Sequence, residues 1–267
     1  MDNIIIEKVI NNNIISAYEK SGAEVIVMGR GIGFKKKQGE MVPADQISKI
    51  FRIKSRTLAE QFKELLANMP LERVRISDEI ISHAKDHLKL KLNQSIYVTL
   101  TDHINSAVAR YREGIALKNM MKIDIRKFYP KEYQVGMHAI EWIKEQTGED
   151  LGDDEAAFIA MHIVSAELNA QNITDVNQIT ELINTVLQIV RIHFKIDLNE
   201  ESISYERFLT HLKFFAARVF DHMEYKDTMQ EIYKVMVEQN ENAFSGVKKI
   251  AEYIKKQYNY KLTIDEQ

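Results

Sequence analysis

The hydrophobic pattern of this chain changes its period once, close to residue 57, and this change limits the folds available to it. Before that point, short β-branched runs such as residues 4–6 and 25–27 are separated by Asn, Ser and Gly residues, which is typical of antiparallel strands. After it, apolar residues recur at helical spacing, as in Leu58 and Phe62. The pattern predicts a multidomain fold, in which a small antiparallel all-β N-terminal domain is followed by all-α helical-bundle domains.

The helical part of the chain repeats itself at an interval of about 110 residues. The segment around His103 resembles the segment around His211, an offset of 108, and residues 139–144 resemble residues 250–255, an offset of 111. A period of this length indicates a duplicated domain, not a solenoid repeat. We therefore expect an N-terminal domain at 1–56, a linker helix at 57–69, a first helical domain at 70–171 and a second at 172–267.

The same alignment predicts that the second helical domain is C-terminally incomplete, as in a truncated chain. At an offset of 111, the position equivalent to His162 is 273, six residues after Gln267. We therefore expect the second copy to lack the last helix of the first, and with it a second histidine of its own. The loss of that helix should leave an apolar stripe uncovered. The stripe is expected to include Phe214, Phe215, Ile250 and Ile254.

The charge balance differs between the two parts of the chain. The whole chain carries 36 Lys and Arg against 39 Asp and Glu, a net charge of −3. Residues 1–56 hold ten basic and six acidic side chains, or +4, which leaves 26 basic and 33 acidic side chains, or −7, for residues 57–267. A basic head on an acidic body predicts that the N-terminal domain binds a polyanion.

Composition excludes several classes of protein and of site. Because the chain has no cysteine, it has no disulfide framework, no thiolate nucleophile and no Cys-ligated zinc. No apolar run reaches the roughly 18 residues that a membrane-spanning helix needs, and the N-terminus lacks the pattern of a secretory signal. We therefore expect a soluble cytoplasmic protein that does not insert into membranes.

The motifs that resemble catalytic or cofactor-binding patterns are incomplete. Residues 29–33 (GRGIG) match neither dinucleotide-binding nor P-loop spacing, and they lead into lysines, not into an apolar helix. His83 and His87 are four residues apart, but the Glu of an HExxH zinc site is absent. We therefore expect no enzymatic activity, no cofactor and no metal site.

Cationic, amide and aromatic residues collect at the predicted strand ends of the N-terminal domain. Such side chains contact phosphates, read base edges and stack on unpaired bases. No helix-turn-helix pattern is visible in residues 1–56, which favours RNA over DNA. A domain of about 55 residues buries only about 60% of its unfolded surface, so we expect a homodimer. The candidate contact residues are Lys8, Asn11, Asn13, Arg30, Phe34 and Lys35.

Residues 8–13 (KVINNN) and 27–34 (VMGRGIGF) strongly resemble the co-antiterminator RNA-binding domain of the BglG/SacY/LicT family of transcriptional antiterminators. The helical domains resemble that family's two phosphotransferase-system (PTS) regulation domains through residues 102–105, 128–133, 154–163 and 207–215. The resemblance implies that a dimer clamps a hairpin in nascent leader mRNA, which excludes an overlapping terminator hairpin. It also implies a sugar-utilisation operon of the β-glucoside or sucrose type.

The resemblance carries specific residue roles. It implies that the RNA contacts are Asn13, Gly29, Arg30 and Phe34, followed by Lys8 and Asn11. It also implies that histidines accept phosphoryl groups from the PTS phosphocarrier and sugar permease (enzyme II) proteins, with inhibition through the first regulation domain and activation through the second. These histidines are His103 and His162 in the first domain and His211 in the second. Arg110 and Arg218, each seven residues after a histidine, are candidate electrostatic partners.

Two other functions stay open at this point. A DNA-binding regulator could carry the same helical regulation domains, although it would need a recognition helix that residues 1–56 do not show. A histidine-metal hydrolase is the third interpretation, and it would need a ligand set that the sequence does not identify.

Overall fold

The computed structural model describes residues 4–86, 88–170, 172–221, 233 and 237–267. The chain forms two compact units. The first comprises Met1–Lys122 and Tyr129–Glu167, and the second comprises Ile123–Phe128 and Leu168–Gln267. The expected fold class is confirmed, since an antiparallel sheet is followed by helices to the end of the described chain.

Within the described residues, the N-terminal domain is a five-stranded antiparallel sheet with the order β4-β1-β2-β3-β5. The β-branched runs at residues 4–6, 14–15 and 25–27 lie in the first three strands, as expected. The last two strands have two and three residues, too few for a periodicity to reveal them. The strands are β1 (Ile4–Asn11), β2 (Ile14–Tyr18), β3 (Glu24–Met28), β4 (Met41–Val42) and β5 (Lys49–Phe51).

The central strands of this sheet are buried on both faces. One face forms a cluster that includes Ile6, Ile15 and Val27. On the other face, Ile14, Ile26, Met28 and Phe51 pack with Phe62 and Leu66 of the following helix. The rings of Phe51 and Phe62 meet edge to face with centroids 5.3 Å apart. Because the chain's own helix completes this core, the marginal burial that we gave as the reason for a dimer does not apply.

Nine described helices follow the sheet. One of them, Lys122–Phe128, lies in a segment whose sequence shows no helical period. This helix has seven residues, so it is too short to show an amphipathic period. The helices are α1 (Arg56–Ala67), α2 (Leu71–Asp86), α3 (Ile96–Arg112), α4 (Lys122–Phe128), α5 (Pro130–Thr147), α6 (Asp153–Glu167), α7 (Ile173–Phe194), α8 (Ile203–Asp221) and α9 (Glu241–Tyr258).

Local sequence sets the ends of several helices. The Ser55 hydroxyl accepts a hydrogen bond from the backbone N–H of Leu58 and caps α1. Pro130 occupies the first turn of α5, and Gly148 ends that helix in the left-handed conformation. Asn172 and Asp175 form a capping box at the start of α7. None of the described helices combines the length and the apolar run that crossing a membrane requires.

Helices α2, α3, α5 and α6 enclose the core of the first helical domain. Helix α6 packs against both α3 and α5, and it is buried almost all round, in agreement with its run of apolar residues. As a result, polar side chains on α6 that face α3 are removed from water. This burial brings Glu155 and His162 of α6 to the side of His103 on α3.

In the second unit, α7 packs against α8 and α9. An open, mainly apolar cavity of about 660 Å³ lies between them, and its lining includes Phe214, Phe215 and Ile250. Phe214 is 49% exposed, as the stripe prediction requires. The prediction is wrong for Ile254, which is buried. Ile254 lies on α9, and α9 packs against α7, so this part of the apolar face of α9 is covered.

Candidate nucleic-acid interface and histidine sites

Two segments of the N-terminal domain, the turn at residues 11–13 and the loop at residues 29–34, are hydrogen-bonded to each other. The N–H of Gly29 donates to the carbonyl of Asn13 at 2.9 Å, and the N–H of Gly33 donates to the carbonyl of Asn12 at 3.0 Å. The structure therefore brings together five of the six residues that the family resemblance implies as RNA contacts. Lys8 lies on β1, three residues before Asn11.

Two of the three asparagine side chains of this turn, those of Asn11 and Asn13, form hydrogen bonds within the domain. Oδ1 of Asn11 accepts from the N–H of Asn13 at 2.8 Å, and Nδ2 of Asn11 donates to the carbonyl of Leu66, at the end of α1, at 2.9 Å. Oδ1 of Asn13 accepts from the N–H of Gly31 at 2.9 Å. These contacts shape the loop and tie it to α1.

Two glycines of the loop lie where no side chain fits. A Cβ atom at Gly29 would lie 1.9 Å from the carbonyl oxygen of Gln46, and one at Gly33 would lie 2.3 Å from the carbonyl oxygen of Asn11. Both distances are far below van der Waals contact with backbone atoms that cannot move aside. Gly29 is buried, so this glycine serves the folding of the loop.

The remaining residues of the set face solvent. Lys8 and Arg30 are exposed, and the Phe34 ring is 56% exposed. Nζ of Lys35 lies 5.4 Å from the centre of that ring, within cation–π distance. Residues 30–35 therefore offer two cations and an uncovered aromatic ring, which can contact phosphates and stack on an unpaired base.

In the first helical domain, a buried carboxylate joins a histidine to an arginine. Oε2 of Glu155 lies 3.0 Å from Nε2 of His103, and Oε1 of Glu155 lies 3.0 Å from Nη2 of Arg110. The His103 and His162 rings are stacked at a tilt, with centroids 4.7 Å apart. Arg110 therefore reaches His103 only through Glu155, a residue that sequence reasoning did not select.

Burial and neighbouring charges set the protonation of this cluster. Burial raises the pKa of Glu155, but the contacts with His103 and Arg110 outweigh it and hold that pKa below its ordinary value. His162 is only 8% exposed. This burial, together with the charge of His103, holds the pKa of His162 well below its ordinary value of 6.5. At neutral pH the cluster thus contains an ionised Glu155 and a neutral His162.

The second helical domain contains a similar arginine–glutamate pair. Nε of Arg218 lies 3.7 Å from Oε1 of Glu266. Residues 110 and 218 differ by 108, and residues 155 and 266 by 111, the two offsets of the sequence repeat. His211 is exposed on α8 and lines the same cavity as Arg218 and Glu266. The repeat alignment, which places Asp154–Glu155 on Asp265–Glu266, was the signal that could have identified Glu155.

His83, which belongs to the His83/His87 pair that was weighed as a zinc site, packs against aromatic rings. The His83 ring packs edge to face against Trp142 at 5.3 Å and against His138 at 5.5 Å. Its expected partner, His87, lies outside the described residues. In the part of the chain that the structure describes, no three His, Cys, Asp or Glu side chains form a group that could hold a metal ion.

Models of known protein families match this chain as one N-terminal RNA-binding domain followed by two copies of one helical domain. Residues 4–60 match the CAT RNA binding domain, and residues 78–166 and 184–267 each match the PRD domain. The crystal structure of GlcT CAT-PRDI superimposes with a TM-score of 0.54 at 35% identity, covering 62% of this chain and 98% of that one.

Two relatives align over nearly the whole chain. The transcription antiterminator LicT of Bacillus subtilis is 46% identical over 263 residues, which cover 98% of this chain and 94% of the relative. The beta-glucoside operon antiterminator of Dickeya chrysanthemi is 37% identical over 98% of this chain and 92% of its own length. With an RNA-binding CAT domain followed by two PRD domains, the chain belongs to the BglG/LicT family of transcriptional antiterminators.

Proposed function

We propose that this protein is a transcriptional antiterminator that binds a hairpin in the leader mRNA of a β-glucoside-type operon. Bound protein stabilises this hairpin at the expense of an overlapping terminator hairpin, so transcription continues. Since the two RNA folds exclude each other, the effect depends on the difference between the protein's affinities for them. The CAT domain and the names of the relatives support this function.

The loop at residues 29–34 is the observation that carries the RNA-binding proposal. Backbone hydrogen bonds and the close approach of two glycines to other backbone atoms shape this loop, and it exposes Arg30 and Phe34. Within the described part of residues 1–55, the only helical element is the three-residue turn Ala44–Gln46. A segment this short cannot act as a recognition helix in a DNA major groove, which argues against the DNA-binding alternative.

A gel-shift titration with the leader hairpin RNA tests this proposal. We expect Arg30→Ala or Phe34→Ala to weaken binding by about 1–3 kcal/mol, the scale of a lost base contact or stack. Lys20→Ala is the matched control, because Lys20 lies in the turn after β2, at the opposite end of that strand from Asn13.

Two outcomes would contradict RNA recognition by this loop. One is unchanged affinity in both the Arg30 and the Phe34 variant. The other is equal binding of the wild-type protein to the hairpin RNA and to duplex DNA of the same sequence.

We further propose that the N-terminal domain acts as a homodimer through an exposed apolar row on its sheet. Ile5 pairs across the strands with Tyr18 on one side and with Met41 on the other. These side chains are 46%, 44% and 61% exposed, and such a patch is typical of a subunit interface.

We expect Ile5→Asp to shift the protein toward monomer in sedimentation experiments and to weaken hairpin binding. The control Met120→Asp changes another exposed apolar side chain, and equal sedimentation of both variants would refute the proposal.

The proposed regulation is phosphorylation of His103, His162 and His211 by the PTS phosphocarrier and enzyme II proteins, inhibitory through the first domain and activating through the second. His211 is exposed and His103 partly exposed, whereas His162 is buried. We therefore expect His162 to accept a phosphoryl group only after α6 moves away from α3. Mass spectrometry of the full chain treated with phosphorylated phosphocarrier protein should detect phosphate on His103 or His211 before His162. Phosphorylation of His162 first would contradict this order.

A further inference from the structure

The contact between Glu155 and His103 favours a proton on the ring nitrogen that faces the carboxylate. Oε2 of Glu155 lies 3.0 Å from Nε2 of His103. An ionised carboxylate has no proton to donate, so the favourable arrangement places the ring proton on Nε2. The lone pair of the neutral imidazole is then at Nδ1. In this structure Nε2 of His103 and Oε2 of Glu155 are both inaccessible to solvent and form no hydrogen bond of regular geometry, so they meet as an ion pair. Because Nε2 is buried, no phosphoryl donor can approach it.

We propose that Glu155 is a positioning residue for the phosphorylation of His103, and that the phosphoryl group is bound to Nδ1. This inference rests on the proposed role of His103 as a phosphoryl acceptor. Glu155 would act as the carboxylate does in other carboxylate–histidine pairs, where it orients the ring and selects its tautomer.

Three neighbours hold this pair in place. Arg110 contacts the other oxygen of Glu155 at 3.0 Å, which fixes the carboxylate. The Phe158 ring lies 5.9 Å from the His103 ring, and the His162 ring lies 4.7 Å from it. Since His162 is neutral at neutral pH, it adds no charge that would oppose a positive charge on His103.

The transfer itself needs no group beyond the donor and these residues. The lone pair of Nδ1 forms a bond to phosphorus as the N–P bond of the donor's phosphohistidine breaks, and the donor nitrogen keeps that electron pair. The His103 ring becomes a phosphorylated imidazolium that retains its proton on Nε2. The Glu155 carboxylate faces this proton and stabilises the new positive charge, while Arg110 keeps the carboxylate ionised.

The second domain gives independent support, because the arginine–glutamate pair occurs there too. The Glu266 side chain is buried, and Oε1 lies 3.7 Å from Nε of Arg218. The Tyr260 hydroxyl donates to Oε1 at 2.9 Å, and the N–H of Thr263 donates to Oε2 at 3.0 Å. Both copies of the domain thus pair a glutamate with the arginine that follows the repeat histidine by seven residues. The contact between the glutamate and the histidine itself is described in the first domain.

Single-turnover phosphorylation of the full chain tests this role. The donor is phosphocarrier protein labelled on its phosphohistidine with 32P, and mass spectrometry under alkaline conditions follows the peptide that contains His103. We expect Glu155→Gln to slow transfer to His103 about 10- to 100-fold, by analogy with the loss of a carboxylate that orients a metal-binding histidine. A carboxamide can donate to Nε2, so it favours the wrong tautomer and provides no charge. Glu155→Asp keeps the charge and should be intermediate.

The control variant is Glu149→Gln, which removes another buried carboxylate paired with an arginine of α3. Glu149 contacts Arg112 at 2.6 Å and has no contact with His103 among the described hydrogen bonds and ion pairs. It should affect folding in a similar way but leave transfer to His103 within about threefold of wild type, since the acceptor's tautomer is untouched. A loss of transfer as large in this variant as in Glu155→Gln would reduce Glu155 to a structural role and refute the proposal.

The phosphohistidine isomer is a second readout, and it needs no variant. In 15N-labelled wild-type protein, NMR should show phosphorus bonded to Nδ1 of His103. A bond to Nε2, or unchanged transfer in Glu155→Gln, would refute the role of Glu155 while leaving His103 as the acceptor. No transfer to wild-type His103 would instead refute the proposed acceptor role, and this inference with it.

Discussion

The Asn11 side chain could either shape the loop or contact RNA directly, and the substitution Asn11→Ala tests which of these two roles it has. The substitution removes two hydrogen bonds, the one that Oδ1 accepts from the N–H of Asn13 at 2.8 Å and the one that Nδ2 donates to the carbonyl of Leu66 at 2.9 Å. A hydrogen bond of this kind contributes about 0.5–1.5 kcal/mol net. We therefore expect the free energy of unfolding to fall by about 1–3 kcal/mol.

Thermal and urea denaturation, followed by circular dichroism, measure this change. For a unit of this size, about 1 kcal/mol corresponds to about 2–4 °C in Tm, so a decrease of about 2–12 °C is expected. Asn12→Ala is the control, because Asn12 is exposed and contributes its backbone carbonyl, which alanine retains, to the bond with Gly33. Its Tm should stay within about 1 °C of wild type, as is usual for a surface substitution.

Hairpin binding, measured well below both melting temperatures, completes this test. If Asn11 only shapes the loop, the folded variant should bind the RNA within a few-fold of wild type. A tenfold or greater loss of affinity with an unchanged Tm would refute the structural assignment. It would return Asn11 to the direct contacts that the family resemblance implies.

Three further predictions concern the first unit. Gly29→Ala should lower the free energy of unfolding by about 1–3 kcal/mol in urea titrations, because its Cβ would overlap the Gln46 carbonyl oxygen; an unchanged midpoint would contradict this packing. Phe62→Ala should cost about 3–5 kcal/mol at every protein concentration, since this ring completes the sheet's core within one chain; a concentration-dependent loss would place a second copy in that core. Burial holds the pKa of His162 in the folded protein below its ordinary value of 6.5. The unfolded chain therefore binds a proton at His162 at a higher pH than the folded protein does, so the free energy of unfolding decreases as the pH falls below about 6.5. The decrease in stability between pH 7.5 and pH 5.5 should thus be larger in wild type than in His162→Gln, and equal decreases would refute the assignment.

Local sequence was sufficient to predict the elements that have a clear period. The β-branched runs became β1, β2 and β3, and the apolar spacing beyond residue 57 became amphipathic helices, because each depends on which face of a short segment is buried. The short elements β4, β5 and α4 were not predictable in this way. A segment of two to seven residues contains too few turns or alternations to show a period, and its conformation depends on its neighbours.

The sequence by itself determined the order of the domains, the duplication and the identity of the basic loop, since these are properties of residue order and local composition. Only the tertiary structure decided what individual side chains do. It joins Asn11 to Leu66, 55 residues away, and it places the Glu155 carboxylate between His103 and Arg110. Contacts of this kind depend on how α6 packs against α3 and how α1 covers the sheet. Periodicity shows which face of a helix is buried, but it does not show which polar groups of two distant helices meet.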